Sequence, residues 1–367
     1  MVITSCYLRK RGSSWQGVAR IDGERNPRTK SFGPMRERDA RRELDAWRNS
    51  LTEDVPRPSS SVPDAPTLIV GLCEARLARG AIERSTARDY RCSARALERW
   101  FGGKPADMVT RDDVEGAISD MVAEGKVPTT VRKRMVALNA AFEDAVARGV
   151  CQSNPCRGVE RPKMVRAPKN YLPREERERL KAWICDGEPS RMKVAASLGL
   201  WCALRAAAVC GTQLWDVDGA MLWKRRAIGV DDGETYVKQT KGRRISWVEM
   251  PEQCREQVAR WVAGPEGPRE PTDWLIGRGD RWCRPNWVMH HWVEVAEGLN
   301  LVGVLGKRPT FHDLRHTYAT VAIAGGVDVK TVASAMDHCS AAMTLDVYAV
   351  ADPDAMRRGG RMMGSLL

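Results

Sequence analysis

Residues 307 to 348 read KRPTFHDLRHTYATVAIAGGVDVKTVASAMDHCSAAMTLDVY, and this stretch decides the fold of the C-terminal half of the chain. Apolar residues recur at helical spacing after Thr310, a good N-cap residue, so the sequence predicts an amphipathic helix there. Gly325-Gly326 ends that helix, and Asp328 and Ser340 are suitable N-caps for two further helices. The stretch therefore predicts three short, consecutive helices.

Four side chains of this stretch can act together on a phosphate. His312 and Arg315 are three residues apart and project from one face of the first helix, while His338 and Tyr348 lie on the segments that follow. A neutral phenol is a poor nucleophile, so Tyr348 needs a base nearby and cations around its electrophile. Arginine matches the oxygens of a phosphate two at a time. The set therefore indicates attack of a tyrosine on a phosphodiester.

These residues resemble the H-x-x-R … H … Y boxes of the tyrosine recombinase (phage integrase) family. The first box is His312–Thr317, the second is Asp337-His338, and the nucleophile box is Thr344–Tyr348. Upstream, ALRAAAVCGTQLWDVD is similar to the family's first arginine box, with Arg205 in the place of the first catalytic arginine. The resemblance implies a catalytic set in which Tyr348 attacks and His312 accepts its proton. Arg205, Arg315 and His338 would bind the phosphate.

The first arginine box departs from the family pattern in three places. Ala203 and Ala207 stand where glycine is common, and Ala208 stands where an acidic residue usually supports the site. These departures keep a second hypothesis open, in which the chain binds a specific DNA site but has lost cleavage.

A β-hairpin is predicted to carry a further catalytic residue. Three alternating runs predict short strands at 221–230, 235–240 and 244–249, with turns at Asp232-Gly233 and Lys241-Gly242. The second turn resembles the family hairpin that carries a mobile lysine, so the resemblance implies that Lys241 protonates the leaving oxygen; Lys238 is the alternative. Arg243 and Arg244 are expected to contact DNA.

Composition narrows the partners of this chain. Its 367 residues are enough for two or three domains, and a net charge of +12 favours a polyanion, although an anionic membrane would also attract it. No apolar run is long enough to span a membrane, and the N-terminus does not read as a signal peptide. The eleven scattered cysteines have no metal-binding spacing, so we expect reduced thiols, no metal, no cofactor and a cytoplasmic location.

The N-terminal residues 1–54 predict a small basic DNA-binding module. Strands are expected at 14–20 and 28–33, joined by a turn at Asp22-Gly23, and a helix at about 36–51. This arrangement resembles the arm-type domains of many integrases. Residues 55–66, with four prolines and three serines, predict a linker.

Residues 67–162 predict a helical domain. One helix is expected after a cap at Ser85, another after the cap Thr110, and a third along Val131–Val146. In the family, a core-binding domain at this place clamps DNA. The resemblance therefore implies that Arg132, Lys133 and Arg134 face phosphates, although a solvated basic turn explains them equally well. A second linker is expected at 163–172, with Pro173 at the first turn of the next helix.

The resemblance implies a multidomain, mainly α fold with a catalytic domain at 173–352 and a C-terminal tail at 353–367. An N-terminal sheet-plus-helix module, an all-α SAM-like core-binding domain and an α+β catalytic domain with a small antiparallel sheet are its expected parts. It further implies a site-specific recombinase that integrates or excises a phage or mobile element without metal or ATP. Its partners would be double-stranded DNA attachment sites, a homotetramer on DNA, and accessory DNA-bending or excision factors. A type IB topoisomerase shares the chemistry but would relax DNA of any sequence.

Overall fold

The computed structural model describes residues 3–21, 26–53, 62–164, 167–239, 245–337, 360–361 and 363–364. By its internal contacts the chain divides into two compact units. The first contains Met1–Leu72 and Ser93–Arg161, and the second contains Cys73–Cys92 and Pro162–Leu367. The division into functional domains drawn from the sequence stays a prediction, because these units describe compactness alone.

The N-terminal part of the first unit is a three-stranded antiparallel sheet followed by a helix. The strands β1 (Ile3–Arg11), β2 (Ser14–Ile21) and β3 (Arg28–Gly33) pair in that order, and helix α1 covers Glu37–Glu53. The predictions of β2, β3 and α1 are confirmed, whereas β1 was missed. Its side chains from Ser5 onward are half-buried or exposed, so the strand lacks the apolar alternation that would predict it. The predicted turn Asp22-Gly23 lies outside the described residues.

Helix α1 packs against the sheet through one tryptophan. A Cβ at Gly17 would lie 2.8 Å from two ring atoms of Trp47 and 2.9 Å from Leu44, so only glycine allows this close approach. Ala19 on β2 is fully buried under the same ring, and Phe32 meets it edge-on. A small aromatic core therefore holds this module together.

Four helices follow in chain order, namely α2 (Ala65–Ala78), α3 (Arg84–Phe101), α4 (Arg111–Ala123) and α5 (Pro128–Ala147). Helix α2 begins inside the stretch predicted to be a linker. The predicted cap at Ser85 was wrong, because the Glu83 carbonyl accepts the first helical hydrogen bonds and α3 begins at Arg84. The capping box of Thr110 and Asp113 is confirmed at the start of α4.

Besides parts of α2 and α3, the second unit contains these α-helices between residues 162 and 337: α6 (Arg174–Cys185), α7 (Arg191–Trp201), α8 (Ala206–Cys210), α9 (Glu252–Ala263), α10 (Pro285–Gly298), α11 (Phe311–Ala324) and α12 (Val329–Ala335). The core surrounds α7, which is buried along nearly its whole length. Phe311 and Leu314 of α11 would lie 3.0 and 3.1 Å from a Cβ at Gly199 of α7, so this glycine lets the two helices touch.

Two sequence predictions for these helices were off by one residue. Pro173 is the N-cap of α6 rather than its first helical residue. Trp287, His291 and Val295 recur at helical spacing, and this stripe predicts a helix with its apolar face along these residues. The buried face of α10 instead runs along Val288, Trp292 and Ala296, one position further, and the predicted stripe is only half-buried. Apolar side chains occur on both sides of this helix, so spacing alone did not fix its rotation.

The strands of the second unit are β4 (Val217–Asp218), β5 (Met221–Lys224), β6 (Arg226–Asp231), β7 (Glu234–Gln239) and β8 (Ser246–Glu249). They form one antiparallel sheet in the order β4-β5-β8 and a separate hairpin of β6 and β7. The first predicted strand is therefore broken at Arg225. The predicted turn at Asp232-Gly233 is confirmed, with φ of +49° and +83°.

No helix in the described part of the chain combines the length and the apolar character needed to cross a bilayer.

The close contact between α8 and β6 gives a test of this packing. A Cβ at Gly211 would lie 2.6 Å from the Ala227 Cα and 2.7 Å from the Arg226 carbonyl oxygen. These are backbone atoms that cannot turn aside, so Gly211→Ala should lower the free energy of unfolding by about 1–3 kcal/mol. Urea unfolding of the full chain, followed by tryptophan fluorescence, measures the change.

Gly298→Ala, in the same unit, is the matched control. Nothing lies within 4 Å of a Cβ at Gly298, so the free energy of unfolding should stay within about 0.5 kcal/mol of the original. Equal effects of the two substitutions would contradict the packing described here.

Candidate active site

One buried arginine joins the three stretches that the sequence assigns to the site. Arg315 on α11 is only 2% exposed. Its Nη1 donates a hydrogen bond to the Ala203 carbonyl oxygen at 2.6 Å, and its Nη2 donates to the Met336 carbonyl oxygen. Ala203 lies two residues before Arg205, and Met336 lies two residues before His338. The guanidinium therefore holds the backbone on either side of the predicted site.

Both joined stretches contain a left-handed residue that is not glycine. Ala203 has φ of +54° and Asp337 has φ of +50°, a conformation that costs an L-residue about 1–2 kcal/mol. Ala203 is fully buried in a small cluster with Ala319, Val332 and Met336, so apolar packing stabilises the turn from α7 into α8. At this position the family commonly has glycine, and the structure keeps the glycine-like turn with an alanine.

Arg205 itself is the N-cap of the short helix α8 and is exposed. Ala206 and Ala208, on the next turn, pack against the main core. Position 208 therefore places a methyl group on the core where the family usually has a carboxylate. Sequence and structure agree that residue 208 supplies no acid to this site.

His312 stands at the start of α11 beside the two arginines. The Asp313 carboxylate accepts hydrogen bonds from the Thr310 N–H at 2.7 Å and from the Thr310 hydroxyl at 2.9 Å, which confirms the predicted cap. Neighbouring protein atoms desolvate the imidazole and lower its pKa, and the positive charges of Arg315 and Arg205 lower this pKa further. A neutral imidazole and two guanidinium groups therefore share one neighbourhood.

A cleft of about 650 Å³ opens beside this neighbourhood. Arg205 and His312 line it together with Trp292 and Arg308, so two of the predicted catalytic side chains face the same space. The rings of His312 and His316 also meet edge-on, with centroids 4.8 Å apart.

Thr317, the last residue of the histidine–arginine box, has a structural role that the sequence did not suggest. Its hydroxyl donates to the Asp313 carbonyl oxygen at 2.7 Å and accepts from the Leu172 N–H at 2.9 Å. The predicted linker is thereby fixed to α11 directly behind the site.

Lys224 was also missed. Its ammonium group donates to the Ala335 carbonyl oxygen and to the Asp337 carboxylate, just before His338. A lysine at the end of a four-residue strand gives no sequence signal for such a contact.

Five of the predicted catalytic and DNA-binding residues cannot be located in the site. Lys241, Arg243, Arg244, His338 and Tyr348 all lie outside the described residues, so their places in the site stay predictions.

The alternative lysine and the three cations of α5 are described. Lys238 on β7 lies 3.6 Å from the Glu83 carboxylate. On α5, Lys133 is exposed, while Arg132 and Arg134 are half-buried. The Arg134 guanidinium also contacts the Met121 sulfur at 3.3 Å. The proposed contacts of these three cations with phosphates stay a prediction.

Comparison with known proteins gives a consistent result. The sequence model of the phage integrase family matches residues 170–354, about half of the chain. A tyrosine recombinase of Thermosipho africanus is 24% identical over 275 residues, which cover 74% of this chain and 90% of that protein. An integrase of Enterobacteria phage 434 is 25% identical over 244 residues, which cover 65% of this chain and 63% of that protein.

Solved structures show the same fold. The Tn1549 transposon integrase in complex with a circular intermediate DNA has a TM-score of 0.68 at 19% identity, covering 82% of this chain and 99% of that chain. A lambda integrase tetramer bound to a Holliday junction has a TM-score of 0.63 at 18% identity, covering 93% and 94%. The predicted multidomain, mainly α fold with small antiparallel sheets is confirmed.

The electrostatic coupling within the site can be measured without any substrate. Replacing Arg205 by the neutral Arg205→Gln removes a positive charge near His312, so the imidazolium is less disfavoured and the pKa of His312 should rise toward its ordinary value of about 6.5. The chain has five histidines, so their imidazole signals can be titrated individually by NMR.

Arg308→Gln is the matched control, because Arg308 lines the same cleft but forms an ion pair with Glu297 at 2.6 Å. Its effect on the pKa of His312 should be the smaller one. If the pKa of His312 is unchanged in Arg205→Gln, then the two side chains are not electrostatically coupled.

Proposed function

Because the chain belongs to the phage integrase family, we propose that it is a site-specific DNA recombinase that cuts and rejoins DNA through a covalent phosphotyrosine. The observation that carries this proposal is the double hydrogen bond of Arg315, which ties the segment of Arg205 to the segment that leads into His338. Residues more than a hundred positions apart are thereby brought to one place. Guanidinium groups match the oxygens of a phosphodiester, which supports DNA as the substrate.

The positive groups would stabilise the charge that develops on the phosphate. In-line displacement adds negative charge to the non-bridging oxygens, and fixed donors lower the barrier because they need no reorganisation. Exposed Arg205 would bind these oxygens directly, and buried Arg315 would add its charge from beneath. His338 would donate a further hydrogen bond. This set would supply the electrostatic stabilisation, so the proposed reaction needs neither a metal nor ATP.

Two proton transfers are proposed for the same set of residues. The phenolic oxygen of Tyr348 would form a bond to phosphorus while the bond from phosphorus to the 5′ oxygen breaks, which leaves the protein on the 3′ phosphate. The Tyr348 proton would pass to His312, whose lowered pKa keeps it neutral and able to accept. Lys241 would give a proton to the departing 5′ oxygen. The reverse steps with a 5′-hydroxyl from another duplex would complete strand exchange.

The natural substrates would be two attachment sites, one of them on a phage or another mobile element. Relatives named for a transposon and for phages support this choice. The lambda integrase tetramer on a Holliday junction supports an assembly of four copies around two DNA sites. The positive net charge of +12 fits a DNA partner, and Arg132, Lys133, Arg134, Arg243 and Arg244 are the side chains proposed to contact its backbone.

Covalent trapping tests this function. Paired direct repeats in the DNA that flanks the gene would identify the attachment site, and a duplex nicked beside the scissile phosphate would trap the cleaved product. We expect a covalent protein–DNA adduct on a denaturing gel. The adduct should be lost completely in Tyr348→Phe, because phenylalanine has no oxygen that can attack the phosphorus. An adduct that persists in Tyr348→Phe would contradict the assignment of the nucleophile.

The contribution of the first arginine can be measured on the same duplex. Arg205→Ala removes a preorganised donor and should slow adduct formation at saturating DNA by about 10²–10³-fold. Arg308→Ala, on the rim of the same cleft, is the control and should change the rate much less. Equal losses would mean that general positive charge, rather than Arg205, drives the reaction.

A second candidate is a site-specific DNA-binding protein of the same fold that no longer cleaves. The specific observation in its favour is Ala208, which packs against the core where the family usually has an acid. Specific binding to the attachment site without any adduct would support it. Relaxation of supercoiled DNA of unrelated sequence would instead favour a type IB topoisomerase.

A further inference from the structure

A buried lysine meets the backbone just before His338. Lys224 at the end of β5 is 4% exposed, and its Nζ donates to the Ala335 carbonyl oxygen at 2.8 Å and to the Asp337 carboxylate at 2.8 Å. Ser246, the cross-strand partner of Lys224 on β8, donates its hydroxyl hydrogen to the same carboxylate oxygen at 2.6 Å. Two adjacent strands therefore hold one side chain of the segment that follows α12.

This arrangement carries two costs in folding free energy. Burying an ammonium group removes its hydration, and this desolvation lowers the pKa of Lys224 even though Asp337 acts to raise it. Asp337 also adopts a left-handed backbone with φ of +50°, where glycine would be free of strain. The residue stands at the glycine of the family's glycine–histidine box. Where the family has a glycine with a freely adopted left-handed backbone, this chain has Asp337, whose carboxylate accepts hydrogen bonds from Lys224 and Ser246.

Residues 335–337 are held by three elements at once. Lys224 binds the Ala335 carbonyl oxygen, Arg315 binds the Met336 carbonyl oxygen, and Lys224 with Ser246 binds the side chain of Asp337. The next residue in the chain is His338, so the direction in which the backbone reaches His338 is set here. Lys224 and Ser246 also flank residues 225–245, the segment that contains Lys241.

We propose that Lys224 and Asp337 are a positioning pair, which fixes the backbone leading into His338 and couples it to the base of the segment that carries Lys241. This inference rests on the proposed recombinase function. Lys224 is not assigned a proton transfer, since it is enclosed by protein and donates to a backbone carbonyl and a carboxylate. Its effect on the reaction would pass through the residues that it orients.

The test uses the nicked attachment-site duplex and the full-length protein. Lys224→Met should slow adduct formation at saturating DNA by about 10–100-fold, the range expected for a small misplacement of reacting groups. The dissociation constant for DNA should stay close to that of the original chain. The thermal midpoint should fall, because Asp337 loses a buried partner, but the variant should remain folded at the assay temperature. Asp337→Asn keeps the shape and tolerates the left-handed backbone, so it should fold and lose rate by a smaller factor.

A double variant tests whether the two residues act as one unit. Lys224→Met with Asp337→Asn should lose no more rate than Lys224→Met alone, because the shared interaction can be removed only once. Lys193→Met is the matched control. Its ammonium group also donates to two backbone carbonyl oxygens, of Asp186 and Glu188, but outside the predicted site, and its variant should cleave within about twofold of the original rate.

A sulfur substitution separates positioning from proton donation. When sulfur replaces the bridging 5′ oxygen, the thiolate leaves without needing a proton, so the loss in Lys241→Ala should be recovered and the loss in Lys224→Met should persist. Recovery of Lys224→Met would overturn the inference by making Lys224 the acid. Cleavage at the original rate in Lys224→Met would also overturn it, and so would a loss of rate that is fully explained by weaker DNA binding or by an unfolded fraction at the assay temperature.

Failure of the proposed function has a different signature. If the original chain binds its attachment site and forms no adduct, then the recombinase assignment fails, and the inference that depends on it fails too.

Discussion

The guanidinium of Arg315 is the interaction on which the second unit depends. A buried cation without partners would cost several kcal/mol, so the protein must present oxygen atoms to it from several directions. Two backbone carbonyls, of Ala203 and Met336, do so. Carbonyls cannot be moved independently of the chain, and the path of the chain on both sides of α11 is therefore set by the need to solvate one side chain. This need brings together the remote segments that precede Arg205 and His338.

The described part of this region has an excess of positive groups. Arg205 and Arg315 lower the pKa of His312, and Arg315 also lowers the pKa of Lys224. The Asp337 carboxylate accepts a hydrogen bond from Lys224 and raises its pKa. The protein meets much of this charge with backbone dipoles instead of acids, and position 208 adds none. Carbonyl oxygens stabilise a cation without cancelling its charge. The positive potential is thus preserved for an anion that arrives from outside, as a DNA phosphate would.

The sequence predicted those features that depend on neighbours in the chain. The caps at Thr310, Thr110 and Asp328 and the turn at Asp232-Gly233 are local, since each is stabilised by hydrogen bonds or backbone angles within a few residues. The rotation of α10 was not local, because it depends on which side faces α7 and α11. The role of Lys224 could not be predicted either, since its partners lie 111 and 113 residues away. Motif spacing indicated Arg205, His312 and Arg315, whereas the groups that orient them follow from packing alone.

Ala203 and Asp337 both have a left-handed backbone, which is strained for residues other than glycine. Arg315 binds the carbonyl oxygen of Ala203 itself and that of Met336, the residue before Asp337. Replacing glycine narrows the unfolded ensemble, which offsets part of the strain that a Cβ introduces. At Ala203 the remainder is offset by burial in an apolar cluster, and this arrangement does not respond to charge. At Asp337 the remaining strain is offset by hydrogen bonds from Lys224 on β5 and Ser246 on β8, the strands that precede and follow the segment with Lys241. The packing of Ala203 fixes the backbone two residues before Arg205. The hydrogen bonds of Asp337 also make the position of one predicted catalytic segment depend on the position of another, which apolar packing at this residue would not do.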